Sequence, residues 1–235
     1  MLDFSRFEVL SFDCYGTLID WESGILSALR PILAAHGKTL RDAQLLELYG
    51  ELEAEAERGD YHSYREVLQK VVRGFAEHFD FFPTEPEIRS LPESLANWQP
   101  FPDTVAALRE LKRRYRLAII SNVDDDLFAA TMPKLGVEFD HVITAQQARA
   151  YKPSLPIFRL AQQEIGVTPQ YWLHAGQSIY HDVVPAQSLG LATVWVNRAS
   201  PRAGVGAVKA AQGRPDLEVA DLGALARNCQ PGTTS

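Results

Sequence analysis

The order of apolar and polar positions divides the chain into two kinds of segment. Residues 7–13, 117–120, 141–144, 171–175 and 192–196 are short runs that are apolar at half or more of their positions. Runs of this length, bounded by turn residues such as Gly16, read as strands buried on both faces. Between the later runs, residues 102–115, 153–165 and 183–189 carry the spacing of amphipathic helices. Strands alternating with helices predict βαβ units, and so an α/β fold with a Rossmann-like, mostly parallel sheet. Residues 21–98 differ. They show no strand pattern, and residues 25–35, 40–58 and 64–79 repeat apolar positions at helical intervals, with Gly37, Gly59 and Pro83 between or after them. The expected organisation is a core of residues 1–19 and 99–228, an inserted all-helical cap of residues 20–98, and a loose polar tail of residues 229–235.

Composition narrows the class. The chain has 235 residues, 46% hydrophobic and 23% charged, which suits a globular protein and excludes disorder as the main state. The net charge of −7 argues against nucleic acid as the main partner. Cys14 and Cys229 stand at opposite ends and form neither a zinc spacing nor a disulfide framework. No apolar run reaches the ~18 residues of a membrane span, and the first residues lack a basic stretch, so a cytoplasmic protein without membrane contact is expected.

Open parallel sheets bind ligands beyond the carboxyl ends of their strands. The residues that follow the predicted strands are Asp13 and Tyr15, then Ser121 and Asn122, then Gln177, Ser178 and Asp182, with Lys152 between the third strand and the next helix. A carboxylate nucleophile, a hydroxyl–amide pair, a lysine and a second acid therefore converge on one mouth.

These residues resemble the motifs of the haloacid dehalogenase superfamily. Residues 13–18 (DCYGTL) resemble its nucleophile loop, Ser121-Asn122 its second motif, Lys152-Pro153 its third and residues 176–182 its fourth, all in order along residues 7–198. The resemblance implies Asp13 as a covalent nucleophile, Lys152 and Asp182 as its catalytic supports, and Tyr15, Ser121, Asn122, Gln177 and Ser178 as substrate-binding residues. Superfamily phosphatases carry a second Asp at the Tyr15 position as general acid. A tyrosine, with a pKa near ~10, protonates an alkoxide poorly, whereas a halide needs no proton. Magnesium-dependent members carry an acid where Gln177 stands, and a neutral amide does not offset a metal charge. Both features resemble the 2-haloacid dehalogenase branch, which implies a small-molecule substrate, no cofactor and a homodimer.

Two departures bear on the substrate. The cap arginine that receives halide in that branch falls near Tyr49, with Arg41, Arg58 and Arg65 nearby on helix faces. The branch's asparagine in the fourth motif falls at Ile179, and His181 is new there. Trp21, Trp98 and Phe101 stand at the cap joints, and Glu47, Glu51, Glu53, Glu55 and Glu57 read as the wet face of a cap helix. The leading expectation is a hydrolase that converts a short 2-haloacid to a 2-hydroxyacid through an aspartyl ester. The alternatives are a phosphatase with magnesium on Asp13 and Asp182, and a non-catalytic binding protein on the same scaffold.

Overall fold

The computed structural model describes residues 2–198 and 212–230. Six strands form one parallel sheet: β1 (Val9–Phe12), β2 (Arg116–Ser121), β3 (His141–Thr144), β4 (Trp172–Gly176), β5 (Ala192–Val196) and β6 (Leu217–Val219). Their spatial order is β3-β2-β1-β4-β5-β6. The chain leaves β1 toward β2 and returns to pair β4 on its other edge, so the order reverses at β1. A crevice opens beyond the carboxyl end of a sheet at such a switch point. Every residue of β1 is buried, because helices cover both faces of the sheet.

The helices are α1 (Trp21–Ala35), α2 (Asp42–Ala56), α3 (Tyr64–Phe79), α4 (Glu85–Ser94), α5 (Thr104–Lys112), α6 (Asp125–Thr131), α7 (Ala145–Ala148), α8 (Leu155–Ile165), α9 (Val184–Ser188) and α10 (Leu222–Asn228). α1 to α4 lie between β1 and β2 in the chain. Their starts are set by local chemistry. Asp20 accepts from the Ser23 N–H at the head of α1, and Ser63–Glu66 and Thr84–Glu87 form reciprocal capping boxes on α3 and α4. α3 is also capped from a distance. The buried Asp124, beyond β2, accepts the main-chain N–H groups of Tyr64 (2.8 Å) and Arg65 (2.9 Å). The Tyr151 hydroxyl donates to the His62 carbonyl at 2.8 Å. Two polar ties thus fasten the head of α3 to the sheet side of the molecule, over the crevice.

Several elements differ from the sequence expectation. α4 contains Pro86 and Pro92, residues that argue against a helix, but Pro86 sits in its first turn where no N–H is needed. β6 and α10 extend the core past the fifth predicted strand. Cys229, expected in a loose tail, is buried as the C-cap of α10, and its carbonyl accepts from Arg114. Residues 231–235 of that tail lie outside the described residues. Among the described residues, no helix is long and apolar enough to cross a membrane.

Candidate active site

Asp13 stands one residue past β1, at the switch point. Its N–H donates to the Ala175 carbonyl of β4, which holds the loop on the sheet. The turn that follows needs Gly16 at φ +94°, a region costly for other residues, and a Cβ there would lie 3.0 Å from the Trp21 indole nitrogen. Leu18 and Ile19 then turn back onto the Cys14 carbonyl. The sharp return leaves the Asp13 carboxylate pointing along the crevice.

Lys152 meets it from the β3–α8 connection. Its ammonium is 2% exposed and spends all three protons: on Asp13 Oδ1 (2.8 Å), on Asp182 Oδ1 (2.6 Å) and on the Ile120 carbonyl (2.9 Å). Asp13 Oδ2 accepts from the Thr17 hydroxyl at 2.7 Å. Asn122 fixes the lysine main chain. Its Oδ1 accepts the Lys152 N–H at 2.7 Å and its Nδ2 donates to the Lys152 carbonyl at 3.2 Å. The amide expected to bind substrate is thus engaged in positioning Lys152, with one Nδ2 proton left over.

Two carboxylates and one ammonium cannot all balance in a buried space. Burial raises the Asp13 carboxyl, and the Asp182 charge adds to this against the pull of Lys152 and Thr17. Burial works against Asp182 too, but Lys152 and His174 hold it below the ordinary carboxylate range. The Lys152 ammonium is raised by its two carboxylates despite burial. Asp182 is therefore the fixed charge and Asp13 the group that titrates first as pH falls.

His174, in β4, was not singled out by the sequence reading. The Trp172 indole donates to Ser11 Oγ at 2.7 Å, and Ser11 Oγ is in turn hydrogen-bonded to His174 Nδ1, also at 2.7 Å. The other ring nitrogen, Nε2, lies 3.4 Å from Asp182 Oδ1. An inward-facing His on a buried strand next to a candidate acid was the available signal.

The remaining expected residues gather around one cavity of about 70 Å³. Asp13, Tyr15, Ser121, Asn122, Lys152, Gln177, Ser178 and Asp182 all line it. The Tyr15 hydroxyl is hydrogen-bonded to Thr131 Oγ1 at 2.9 Å and its ring packs edge-on against Trp98, so it forms a wall of the cavity. The Gln177 N–H donates to Thr17 Oγ1, and Ser178 Oγ accepts the His181 N–H that begins a π-helical turn, Ile179–Val183. Ser121 Oγ is buried and has no hydrogen-bond partner among the described residues.

Two cap residues belong to this wall as well. Glu53 and Glu57, expected on a wet helix face, line the cavity together with Trp21 and Tyr64. α2 turns Glu47, Glu51 and Glu55 outward, but Tyr49, Glu53 and Glu57 form a separate stripe four residues apart, beside the buried Leu45 and Leu46. Tyr49 being apolar-faced and in step with both glutamates was the signal in the sequence. None of Arg41, Arg58 and Arg65 reaches this cavity. Arg41 precedes α2, Arg58 lines a wider outer groove and Arg65 pairs with Asp126 at 2.6 Å.

Residues 7–190 match the haloacid dehalogenase-like hydrolase family. The chain belongs to this family. Haloacetate dehalogenase H-2 of Moraxella sp. (strain B) is 30% identical over 199 residues, covering 82% of this chain and 87% of that protein. (S)-2-haloacid dehalogenase H-109 of Pseudomonas putida is 28% identical, covering 93% of this chain and 96% of that one. The structure of L-2-haloacid dehalogenase from Xanthobacter autotrophicus with chloropropionic acid covalently bound superposes with a TM-score of 0.78 at 23% identity, over 94% and 97% of the two chains, and confirms the fold. In this haloacid dehalogenase-like hydrolase, the four motif segments follow β1, β2, β3 and β4 in the chain. Among the described residues, no three His, Cys, Asp or Glu side chains are grouped to hold a metal ion.

Proposed function

We propose that this protein hydrolyses the carbon–halogen bond of a short 2-haloacid, without a metal or organic cofactor. The observation that carries the proposal is the Asp13–Lys152–Asp182 cluster. A nucleophilic carboxylate is held by a fully engaged ammonium, at one wall of a cavity sized for a few heavy atoms. In the first half of the reaction an Asp13 oxygen attacks C2 in line with the departing halide and forms an ester. Each Asp13 oxygen accepts one hydrogen bond from the described residues, so a lone pair remains for attack. In the second half water adds to the Asp13 carboxyl carbon and releases a 2-hydroxyacid. Lys152 supports both steps by facing the charge on the Asp13 oxygen that it holds, and Asp182 and Asn122 fix Lys152. Ser121, with its unpartnered hydroxyl, and the spare Asn122 proton are the donors for the substrate carboxylate.

Residues 20–98 act as a cap that excludes bulk water from the ester. The expected alternative, a magnesium phosphatase, draws no support from the donor set. The Tyr15 hydroxyl is tied to Thr131, Gln177 supplies an amide, and the Lys152 ammonium already lies between Asp13 and Asp182.

The test is halide release from 2-chloropropionate and bromoacetate in the presence of chelator, for the wild type and Asp13→Asn. Release by the wild type alone supports the proposal. No release from either substrate, with turnover of phosphate esters on addition of Mg²⁺, refutes it. A cellular effect that survives Asp13→Asn would point instead to the binding-protein reading.

A further inference from the structure

The cavity has two chemically different sides. The core side holds Asp13, Lys152 and Asp182. The cap side holds Glu53, on α2, and Glu57, the C-cap residue of α2. The core side already has two carboxylates for one ammonium, and the cap side adds two more. No described cation lies within ion-pair reach of Glu53 or Glu57. Four residues apart on one helix, the two carboxyls repel each other when both are ionised.

Their surroundings decide which one carries charge. Glu53 Oε1 accepts hydrogen bonds from the Tyr49 hydroxyl (2.8 Å) and the Tyr64 hydroxyl (2.6 Å). Burial raises the Glu53 carboxyl above its ordinary value, and these two donors, which favour the ionised form, pull it back only in part. Glu57 receives no hydrogen bond from a described side chain and faces the Glu53 charge. Burial, then that charge, raise Glu57 well above the ordinary carboxylate range against the pull of Lys152. The other groups around it do not reverse this. On its own side are Arg58 and Tyr61, before α8 are Arg149 and Tyr151, and in the π-helical turn are Tyr180 and His181, all lining the wider groove. Arg58 is exposed and Arg149 lies over the Tyr61 ring, 4.6 Å from its centroid. Tyr64, Asp13 and Asp182 complete the set in the small cavity.

A separate observation points a ligand into the same space. Ser121 Oγ, on a residue 1% exposed, lines the cavity with no hydrogen-bond partner. With a substrate carboxylate on Ser121 and Asp13 attacking C2, in-line displacement drives the leaving group away from Asp13, into the cavity that Glu53 and Glu57 also line.

We propose that the Glu57 carboxyl, on the α2 side of the cavity, donates its O–H to the leaving halide. This rests on the dehalogenase reading above and assigns the halide end of the site to a carboxylic acid. An Asp13 oxygen bonds to C2, and the C2–halogen bond breaks with its electron pair on the halogen. The halide accepts the Glu57 hydrogen bond, and the proton stays on Glu57. Asp13 becomes a neutral ester in the same step, so one negative charge passes from Asp13 to the halide and the total in the cavity is unchanged. A hydroxyl donor favours small, hard halides. Fluoride, the poorest leaving group, gains most from it, and bromide least.

The test compares halide release from 2-fluoro-, 2-chloro- and 2-bromopropionate across pH. The wild type loses kcat/KM on the alkaline side as Glu57 gives up its proton. Glu57→Gln keeps a donor that does not titrate, so the alkaline limb disappears. Glu53→Gln removes the facing charge and moves the limb to lower pH. Glu57→Ala loses about 10- to 100-fold on the fluoro acid, the range of one hydrogen bond to a charged group, and less than about threefold on the bromo acid. Equal losses on all three halides, or an unchanged limb in Glu57→Gln, overturn the proposal and leave Asp13-dependent halide release standing. A readout free of turnover is the chloride-35 NMR linewidth with Asp13→Asn, whose neutral side chain stands in for the ester. Chloride binding that fades with rising pH and is lost in the Asp13→Asn, Glu57→Ala double variant supports the acid even if no haloacid is turned over. Binding that ignores pH and Glu57 overturns it. Failure of every haloacid to release halide sinks the dehalogenase reading by itself.

Discussion

Replacing Lys152 by Met keeps an unbranched side chain, one heavy atom shorter, and removes its charge. Three hydrogen bonds go with it, to Asp13 (2.8 Å), to Asp182 (2.6 Å) and to the Ile120 carbonyl (2.9 Å). Removing one partner of a buried ion pair costs about 3–5 kcal/mol, mostly because the remaining charge is stranded. Two carboxylates are stranded here, but the costs do not add. Asp13 already titrates above its ordinary range and takes up a proton first, which relieves the pair. The expected loss is therefore about 3–5 kcal/mol at about pH 7.5. The pH dependence has a definite sign. In the wild type, Asp182 is held below its ordinary value, so its contribution is full above the ordinary carboxylate range and is lost as pH falls. In the variant both carboxyls lie above the ordinary range, so their penalty is full at high pH and vanishes on acidification. Both trends narrow the gap between the two proteins as pH falls. Urea denaturation followed by circular dichroism, at about pH 7.5 and about pH 5, measures it. A gap below about 1 kcal/mol at the higher pH, or one that does not narrow, refutes the assignment of Lys152 as the cation of a buried three-group cluster.

Three further outcomes follow from the same geometry. Ser121→Ala removes a buried hydroxyl that has no partner, so stability is unchanged or rises by up to about 1 kcal/mol while KM for a 2-haloacid rises about tenfold at nearly constant kcat; a clear drop in Tm with KM unchanged would mean that the hydroxyl serves the fold. Gly176→Ala places a Cβ 2.4 Å from the Asp182 carboxyl carbon, so Asp182 must leave Lys152. It costs about 1–3 kcal/mol and lowers kcat far more than KM, as thermal melts and halide release will report. Because burial raises Asp13, the acid limb of kcat/KM lies above the ordinary carboxylate range, with the rate full above that limb and lost as pH falls through it; a limb within the ordinary range contradicts the nucleophile assignment.

The strands and the motif residues behind them were legible because a buried parallel strand is apolar throughout and its C-terminal loop is where the polar chemistry must sit. Asp13, Ser121, Lys152 and Asp182 needed no tertiary information. α4 was hidden by its two prolines, and β6 by having only three residues. The roles of Asn122 and Asp124 were hidden for a different reason. Each binds main chain about 30 or about 60 residues away, to Lys152 and to the head of α3, and no local pattern encodes such pairings. Glu53 and Glu57 were lost among five glutamates of α2. Composition pointed to a solvated helix, whereas the phase of Tyr49 pointed to a buried stripe, and the phase was the better guide.

The most direct test of the account is a single turnover with enzyme in excess over 2-chloropropionate, in H₂¹⁸O with chelator, followed by mass analysis of the Asp13 peptide and of the product. If Asp13 forms the ester and water cleaves it at the carboxyl carbon, halide is released and ¹⁸O appears in Asp13, with none in the first-turnover hydroxyacid. Halide release with ¹⁸O in the hydroxyacid and none in Asp13 would mean that water attacks C2 directly, and would contradict the account at its centre.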